Sequence, residues 1–210
     1  MSAWTQERVT RVYDRLGPLY DLWSAPMERL GLERKRRRLL AQARGRVLEA
    51  GIGTARNLDC YPAETELSGI DISPRMIERA RRRASRLERE VDFRVADVTA
   101  LPFAARPFDM TTATCLFCSV PDPEAGLREL GRVTRPEGRV LLLEHVRPAG
   151  RLAGALADAV SPLTARLFGP SLNRRTEEHV REAGLEPVEV RRDGIWREIV
   201  ARPAGDRDPA

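Results

Sequence analysis

The sequence predicts an α/β fold with helices on both faces of an open, mostly parallel sheet, and three stretches carry that expectation. VLEAGIGTARN (residues 47–57) is an apolar run, an acidic residue, two glycines one residue apart, and a segment able to become a helix. LSGID (67–71) is a second short apolar strand that ends in a carboxylate. GRVLLLEHV (138–146) is the most hydrophobic strand of all. Strands of this kind separated by helical patterns indicate parallel pairing through crossover helices.

The remaining elements follow in order. Val9, Val12, Tyr13 and Leu16 fall on one face at helical spacing before Gly17 and Pro18 stop the segment. A second amphipathic segment, residues 20–40, holds Leu22, Trp23, Met27 and Leu30, then the basic run Arg34, Lys35, Arg36, Arg37 and Arg38. Two readings of these first forty residues stay open: a lid that also rests on an anionic membrane surface, or a stripe packed on the main domain with its arginines solvated. After Asp71, Ser73 is a good N-cap with Pro74 at the first helical position, so a helix carrying Met76, Ile77 and Ala80 crosses back over the sheet. VDFRVAD is a third strand, ending at Asp97, and FDMTTATC (108–115) a fourth. Residues 121–134 form the next helix and lead into the 138–146 strand. Residues 152–168 are an apolar stretch with Pro162 in its middle, either a flap over a substrate or a packing helix. Residues 176–183 form a helix whose His179 reads as a surface histidine. Residues 185–203 close the sheet as an antiparallel pair turning at Asp193 and Gly194.

The glycine turn and the carboxylate about twenty residues beyond it point to an adenosine-containing cofactor. Gly51 and Gly53 let backbone approach a ligand, and Asp71 is placed to accept from both ribose hydroxyls. A dinucleotide fingerprint requires a third glycine where Arg56 stands, because its pyrophosphate sits on the helix N-terminus. S-adenosylmethionine carries no phosphate, so the site suits it better than a nicotinamide or flavin dinucleotide. The alternative is a strand-to-helix turn whose glycines serve packing alone. Asp97 with Val98 lies where an adenine amino group would be read. Glu144 and His145 end their strand on the side where open parallel sheets bind ligands, either as a base facing substrate or as a strand cap.

Composition bounds the rest. The 210 residues fit one domain, and no apolar run approaches the roughly 20 residues of a membrane-spanning helix. The N-terminal residues lack the apolar centre of a signal peptide, so a cytoplasmic location, with peripheral contact at the inner membrane face, is expected. The net charge of +5 comes almost wholly from arginine, Lys35 being the only lysine. That bias is a weak argument for nucleic acid, and none is expected as a partner. Cys60, Cys115 and Cys118 form no disulfide framework. Cys115 and Cys118 lack the second pair a structural zinc site needs, so no metal is expected, and Cys115 is read as lining the cofactor.

The succession VLEAGIGTARN, GIDIS, VADVTALPF, FDMTTATC and RPEGRVLLLEHV resembles the class I S-adenosylmethionine-dependent methyltransferases over about residues 40–203. That resemblance implies a Rossmann-like seven-stranded sheet with its last strand antiparallel. It assigns Glu49, Gly51 and Gly53 to the methionine end, Asp71 to the ribose, and Asp97 and Val98 to the adenine, with Ile72 and Met76 beside them. Two departures stand out: Ala55 where many members carry a third glycine, and Glu137 in place of the first glycine of an R-P-G-G turn. YDRLGPLYD (13–21) and RPEGRVLLLEHV are similar to bacterial phospholipid N-methyltransferases, with their neighbours that methylate ubiquinone or menaquinone precursors, and to membrane-associated thiol methyltransferases; CLFCSVPDPE (115–124) resembles the phospholipid and thiol groups. All take lipophilic acceptors, and the likeness makes Tyr20 a lid residue. The expectation is a methyltransferase for a small-molecule or lipid acceptor, phosphatidylethanolamine first, with Glu144, His145 and Tyr20 as candidates to manage the nucleophile's proton. A cofactor-binding regulator is the non-enzymatic alternative. A nucleic-acid methyltransferase is disfavoured, since CLFCSVPDP stands where an Asn/Asp-Pro-Pro-aromatic motif would grip a flipped base. The expected organisation is a lid or membrane-contact segment (1–40), a cofactor-binding domain (41–203) and a loose tail (204–210).

Overall fold

The computed structural model describes residues 5–16, 25 and 28–204. Its strands are β1 (Arg46–Ala50), β2 (Glu66–Asp71), β3 (Val91–Val95), β4 (Phe108–Thr114), β5 (Thr134–His145), β6 (Leu185–Asp193) and β7 (Trp196–Pro203). The helices are α1 (Gln6–Leu16), α2 (Glu33–Leu40), α3 (Pro74–Arg86), α4 (Pro123–Val133), α5 (Arg151–Phe168) and α6 (Thr176–Glu182). The strands form one sheet in the order β3-β2-β1-β4-β5-β7-β6. Only β7 is antiparallel, to β5 on one side and β6 on the other, as the resemblance implied. The Asp193–Gly194 turn is the predicted hairpin, with Gly194 at φ 57°. What the sequence did not reveal is that β7 inserts between β5 and β6, leaving the earlier strand at the edge.

Both faces are covered, which is why β1 and the middle of β5 are continuously buried instead of alternating. On one face Leu127, Leu130 and Val133 of α4 and Val180 of α6 pack on Leu48, Ala113, Val140 and Leu142. On the other, Leu39 and Leu40 of α2 and Ile77, Ala80 and Ala84 of α3 pack on Val47, Leu67, Leu141 and Leu143. Residues 39 and 40 therefore belong to the same core as β1. No helix among the described residues is long and apolar enough to cross a membrane.

Helix starts follow their capping residues. Ser73 Oγ accepts from Met76 N (3.2 Å), and Asp122 Oδ1 accepts from Ala125 N (2.9 Å), each ahead of a proline in the first turn. The residue 152–168 stretch is a continuous helix through Pro162. Of the second N-terminal segment, residues 33–40 form α2, while Tyr20, Leu22, Trp23 and Met27 lie outside the described residues, as does most of the tail.

The basic run takes partners inside the protein. Arg36 is 8% exposed and donates to Asn57 Oδ1 (2.8 Å) and to Thr114, Lys35 pairs with Asp193, and Arg38 grips both oxygens of Glu198. Lys35 and Arg36 are buried, so neither the lipid-facing nor the solvated reading describes those two side chains, whereas Arg38 stays exposed while paired. They tie α2 to the glycine turn and to the β6–β7 hairpin.

The 138–146 strand starts earlier than its hydrophobicity suggests, at Thr134, with three extra residues accommodated where Phe108 pairs with Thr134 but Met110 with Arg139. Within that irregular stretch Gly138 passes so close to β4 that a Cβ would lie 2.4 Å from Asp109 O. Gly138→Ala must displace backbone, and a destabilisation of about 1–3 kcal/mol is expected. Urea unfolding checks this: the midpoint falls while the denaturant dependence stays unchanged.

Candidate functional site

The strand order reverses between β1 and β4, and in such sheets the crevice beyond the carboxyl ends holds ligand. A cleft enclosing about 630 Å³, part of it open to solvent, lies there. Gly51, Gly53, Asp71, Ile72, Met76, Asp97, Val98 and Cys115 all line it, together with Thr114, Leu116, Ser119 and Val120.

The floor is the turn after β1. Gly51 (φ 66°) and Gly53 (φ 57°) adopt left-handed conformations; a Cβ on Gly51 would strike Leu116 at 2.6 Å, whereas one on Gly53 would come no nearer than 4.0 Å, to Gly51 O. Ala55, where the resemblance has a third glycine, is itself left-handed (φ 60°), so the departure keeps the backbone path and accepts its strain. Glu137, the other departure, is not among the residues with positive φ.

Asp71 braces this turn from the neighbouring strand. Its Oδ2 accepts from Gly53 N (3.0 Å) and its Oδ1 from Ser73 N (2.9 Å). Burial pushes its carboxyl up to about 6 against the backbone N–H groups of Ser73, Gly53 and Ile72. A carboxylate offers about four acceptor positions, so these donors do not exhaust it. Asp97 Oδ1 takes Gln6 Nε2 (2.7 Å), Thr99 N (2.8 Å) and Thr99 Oγ1 (2.8 Å).

Glu49 does not line the cleft. It is 1% exposed behind the turn, accepting from Asn57 Nδ2 and Tyr61 OH (3.1 Å). Asn57 also reaches Thr114 Oγ1 (2.9 Å), and Arg36 bonds both. Burial raises Glu49 to about 7. This buried network, which fixes Thr114 at the cleft wall, was not read from the sequence.

Glu144 and His145 project to opposite faces of β5, as successive strand residues must. Glu144 is fully buried and its Oε1 accepts from Leu116 N (2.8 Å) and Phe117 N (3.0 Å); burial raises its carboxyl to about 7. His145 stands edge-on to Trp196, ring centres 6.0 Å apart, and burial lowers it to about 4. Neither lines the cleft. Tyr20 lies outside the described residues. His179 pairs at the surface with Glu124 (3.1 Å), while burial raises the Cys115 thiol to about 12.

The sequence reading missed how α1 meets the site. Gln6, Val9 and Tyr13 line the cleft. Tyr13 OH bonds Ser119 Oγ (2.6 Å), and Asp14 accepts from Ser73 Oγ. One of the two readings of the first forty residues is a lid over the cofactor, with Tyr20 as its residue; it does not single out Gln6, Val9 and Tyr13 as the side chains at the cleft.

Residues 48–142 match the methyltransferase domain family. The chain is 35% identical over 153 residues to a phosphatidylethanolamine N-methyltransferase of Cereibacter sphaeroides, covering 70% of this chain and 73% of that protein. It is 33% identical over 158 residues to a demethylmenaquinone methyltransferase of Deinococcus radiodurans, covering 71% of this chain and 65% of that one. The matched region thus spans about two thirds of these relatives' length. A methyltransferase structure from Thermotoga maritima superposes with a TM-score of 0.73 at 20% identity, over 92% of this chain and 99% of that one. The chain belongs to the class I S-adenosylmethionine-dependent methyltransferases. The cleft fits that family's cofactor: Asp71 lines it with acceptor capacity to spare for a hydroxyl, and the space beside Gly53 is clear of side chain.

Glu144 binds more protons folded than unfolded between about pH 4.5 and 7, so its contribution to stability is present below that window and is lost as pH rises through it. Glu144→Gln keeps an oxygen acceptor for the two N–H groups and removes the titration. The stability difference, wild type minus variant, should fall by about 1–3 kcal/mol between pH 4.5 and 8, read by chemical denaturation at each pH. A constant difference would refute the raised carboxyl.

Proposed function

We propose that the chain is an S-adenosylmethionine-dependent methyltransferase acting on a lipophilic or membrane-associated acceptor, with the amine of phosphatidylethanolamine as the nucleophile favoured most. The observation that carries the reading is a single cleft in which Asp71 and Asp97 line one part while Val9, Leu116 and Val120 make an apolar wall. Its similarity to the Cereibacter phosphatidylethanolamine N-methyltransferase supports the amine. Methylation of a quinone precursor is the second reading, supported by the Deinococcus relative.

In this reading Gly51 and Gly53 give backbone room at the methionine end, with Glu49 holding the turn from behind. Asp71 takes the ribose with Ile72 beside it, Asp97 and Val98 the adenine, and Met76 and Cys115 complete the wall. Bound S-adenosylmethionine supplies a methyl group already activated on a sulfonium. The protein's task is then alignment, which contributes about 7–11 kcal/mol in favourable cases. Glu144 acts by positioning: its carboxylate fixes the backbone of residues 116 and 117, which carry the apolar wall. His145, on the other face of the sheet, takes no direct part, and the hydrogen-bonded hydroxyls of Tyr13 and Ser119 are polar groups of the cleft lining. Residues 1–40 serve as lid, a role supported by the three α1 side chains at the cleft. The enzyme works from the cytoplasm at the inner membrane face, on a lipid partner and not on nucleic acid.

Incubation with methyl-labelled S-adenosylmethionine and lipid extract should place label in the phospholipid fraction. Label confined to the quinone fraction selects the second reading, and no label in lipid, quinone, phenol or thiol overturns both. Asp71→Ala removes two ligand hydrogen bonds to a charged group and should weaken cofactor binding about 10- to 100-fold by calorimetry. Unchanged affinity would remove Asp71 from the site.

A further inference from the structure

Helix α5 is built inside out. Gly154, Ala157, Ser161 and Ala165 recur every three or four residues and are buried. Ser161 Oγ accepts from Leu172 N (2.9 Å) and donates to Asn173 Oδ1 (2.8 Å), and the Arg147 guanidinium lies where a Cβ on Gly154 would project. The large apolar side chains point the other way: Leu152, Leu156, Leu163 and Leu167 are 89, 64, 59 and 53% exposed. At 3.6 residues per turn these four fall within about 60° of one another, opposite the small-residue face. A surface helix of a soluble protein turns its leucines toward the core, and an apolar stripe left outside marks a contact surface.

The charges around the stripe select its occupant. Arg151 and Arg166 are exposed on α5 itself, and α1, packed beside it, adds exposed Arg11 and Arg15 against one exposed acid, Glu7. Asp158, the single acid of α5, is already held by Arg147 (2.8 Å). The chain as a whole carries +5. A leucine stripe flanked by arginines complements a layer with an apolar interior and an anionic face.

We infer that α5 docks along an anionic phospholipid bilayer, its leucines at the acyl boundary and Arg151 and Arg166 among the phosphates. The inference rests on the lipophilic-acceptor reading above and adds the surface by which the chain meets it. Because α1 packs on α5 and lines the cleft, docking this face brings the cleft beside the bilayer. The contact uses α5, whereas Lys35, Arg36 and Arg38 of the basic run are engaged within the protein.

The full chain is sedimented with vesicles of phosphatidylglycerol and phosphatidylethanolamine, and with vesicles of phosphatidylcholine alone. The wild type should pellet with the first and not the second. The triple variant Leu152→Ser, Leu156→Ser, Leu163→Ser should lose vesicle affinity about tenfold or more, and Arg151→Gln with Arg166→Gln should abolish the preference for anionic lipid. Circular dichroism and cofactor calorimetry should be unchanged in both variants, since neither alters a buried side chain. Vesicle binding that survives in the leucine variant, or is absent in the wild type, overturns the inference. So does a wild-type dimer by sedimentation equilibrium that the leucine variant dissociates, which would assign the stripe to a second copy. Transfer to a short-chain, water-soluble phosphatidylethanolamine separates the two readings: its absence in a wild type that binds vesicles refutes the acceptor and leaves the docking surface standing.

Discussion

The constraint on which the structure depends is the carboxylate of Asp71, held between the glycine turn after β1 and the first residues beyond β2. Its two oxygens take the N–H groups of Gly53 and Ser73, so one side chain sets the spacing of two strand ends and the start of α3. Taking water away from a charge is costly, and the cost appears as a carboxyl raised to about 6 on this half-buried side chain. Gly53 must be left-handed to direct its N–H there, and no side chain fills the space beyond it. Geometry that satisfies part of the carboxylate while it lines a cleft suits a ligand with hydroxyl groups.

The same device recurs along the carboxyl edge of the sheet with different outcomes. Glu49 at the end of β1 and Glu144 at the end of β5 are both buried and raised to about 7; Glu49 engages both oxygens with protein donors, whereas Glu144 engages Oε1 and leaves Oε2 without a partner among the described residues. Glu49 anchors Asn57 and Tyr61 behind the turn; Glu144 anchors the loop of residues 116 and 117. Asp71 and Asp97 line the cleft instead. That loop is also held by Arg174, which donates to Val120 O (2.7 Å), and by Ser171, whose N–H reaches Cys118 O (2.8 Å). This side of the cleft is therefore tied at several points to the rest of the sheet, and Gln6, Val9 and Tyr13 of α1 line the cleft as well.

Much of this was legible in the sequence because the signals were local. Glycine spacing, strand-ending carboxylates and the Ser73-Pro74 helix start act within a few residues, and they placed the turn, Asp71, Asp97 and α3. Long-range contacts were not legible. Nothing local says that β7 enters between β5 and β6, that Arg36 crosses to Asn57 and Thr114, or that Gln6 reaches Asp97 across ninety-one positions. Glu144 and His145 looked alike as polar residues at a strand end, but adjacent positions point to opposite faces, and only the fold shows that one meets loop backbone and the other Trp196. The leucines of α5 were read as an apolar stretch; which side they take depends on the small residues between them and on what those pack against.

The central claim is that an ionised Asp71 carboxylate receives the adenosyl ligand, and proton linkage tests it most directly. Titration calorimetry of S-adenosylmethionine binding in buffers of different ionisation enthalpy counts protons exchanged on binding. With the carboxyl near 6 in the free protein, binding at pH 6 should release protons, release should vanish by pH 8, and Asp71→Asn should reduce it. Binding at pH 6 with no proton release, or with release unchanged in the Asn variant, would contradict the account.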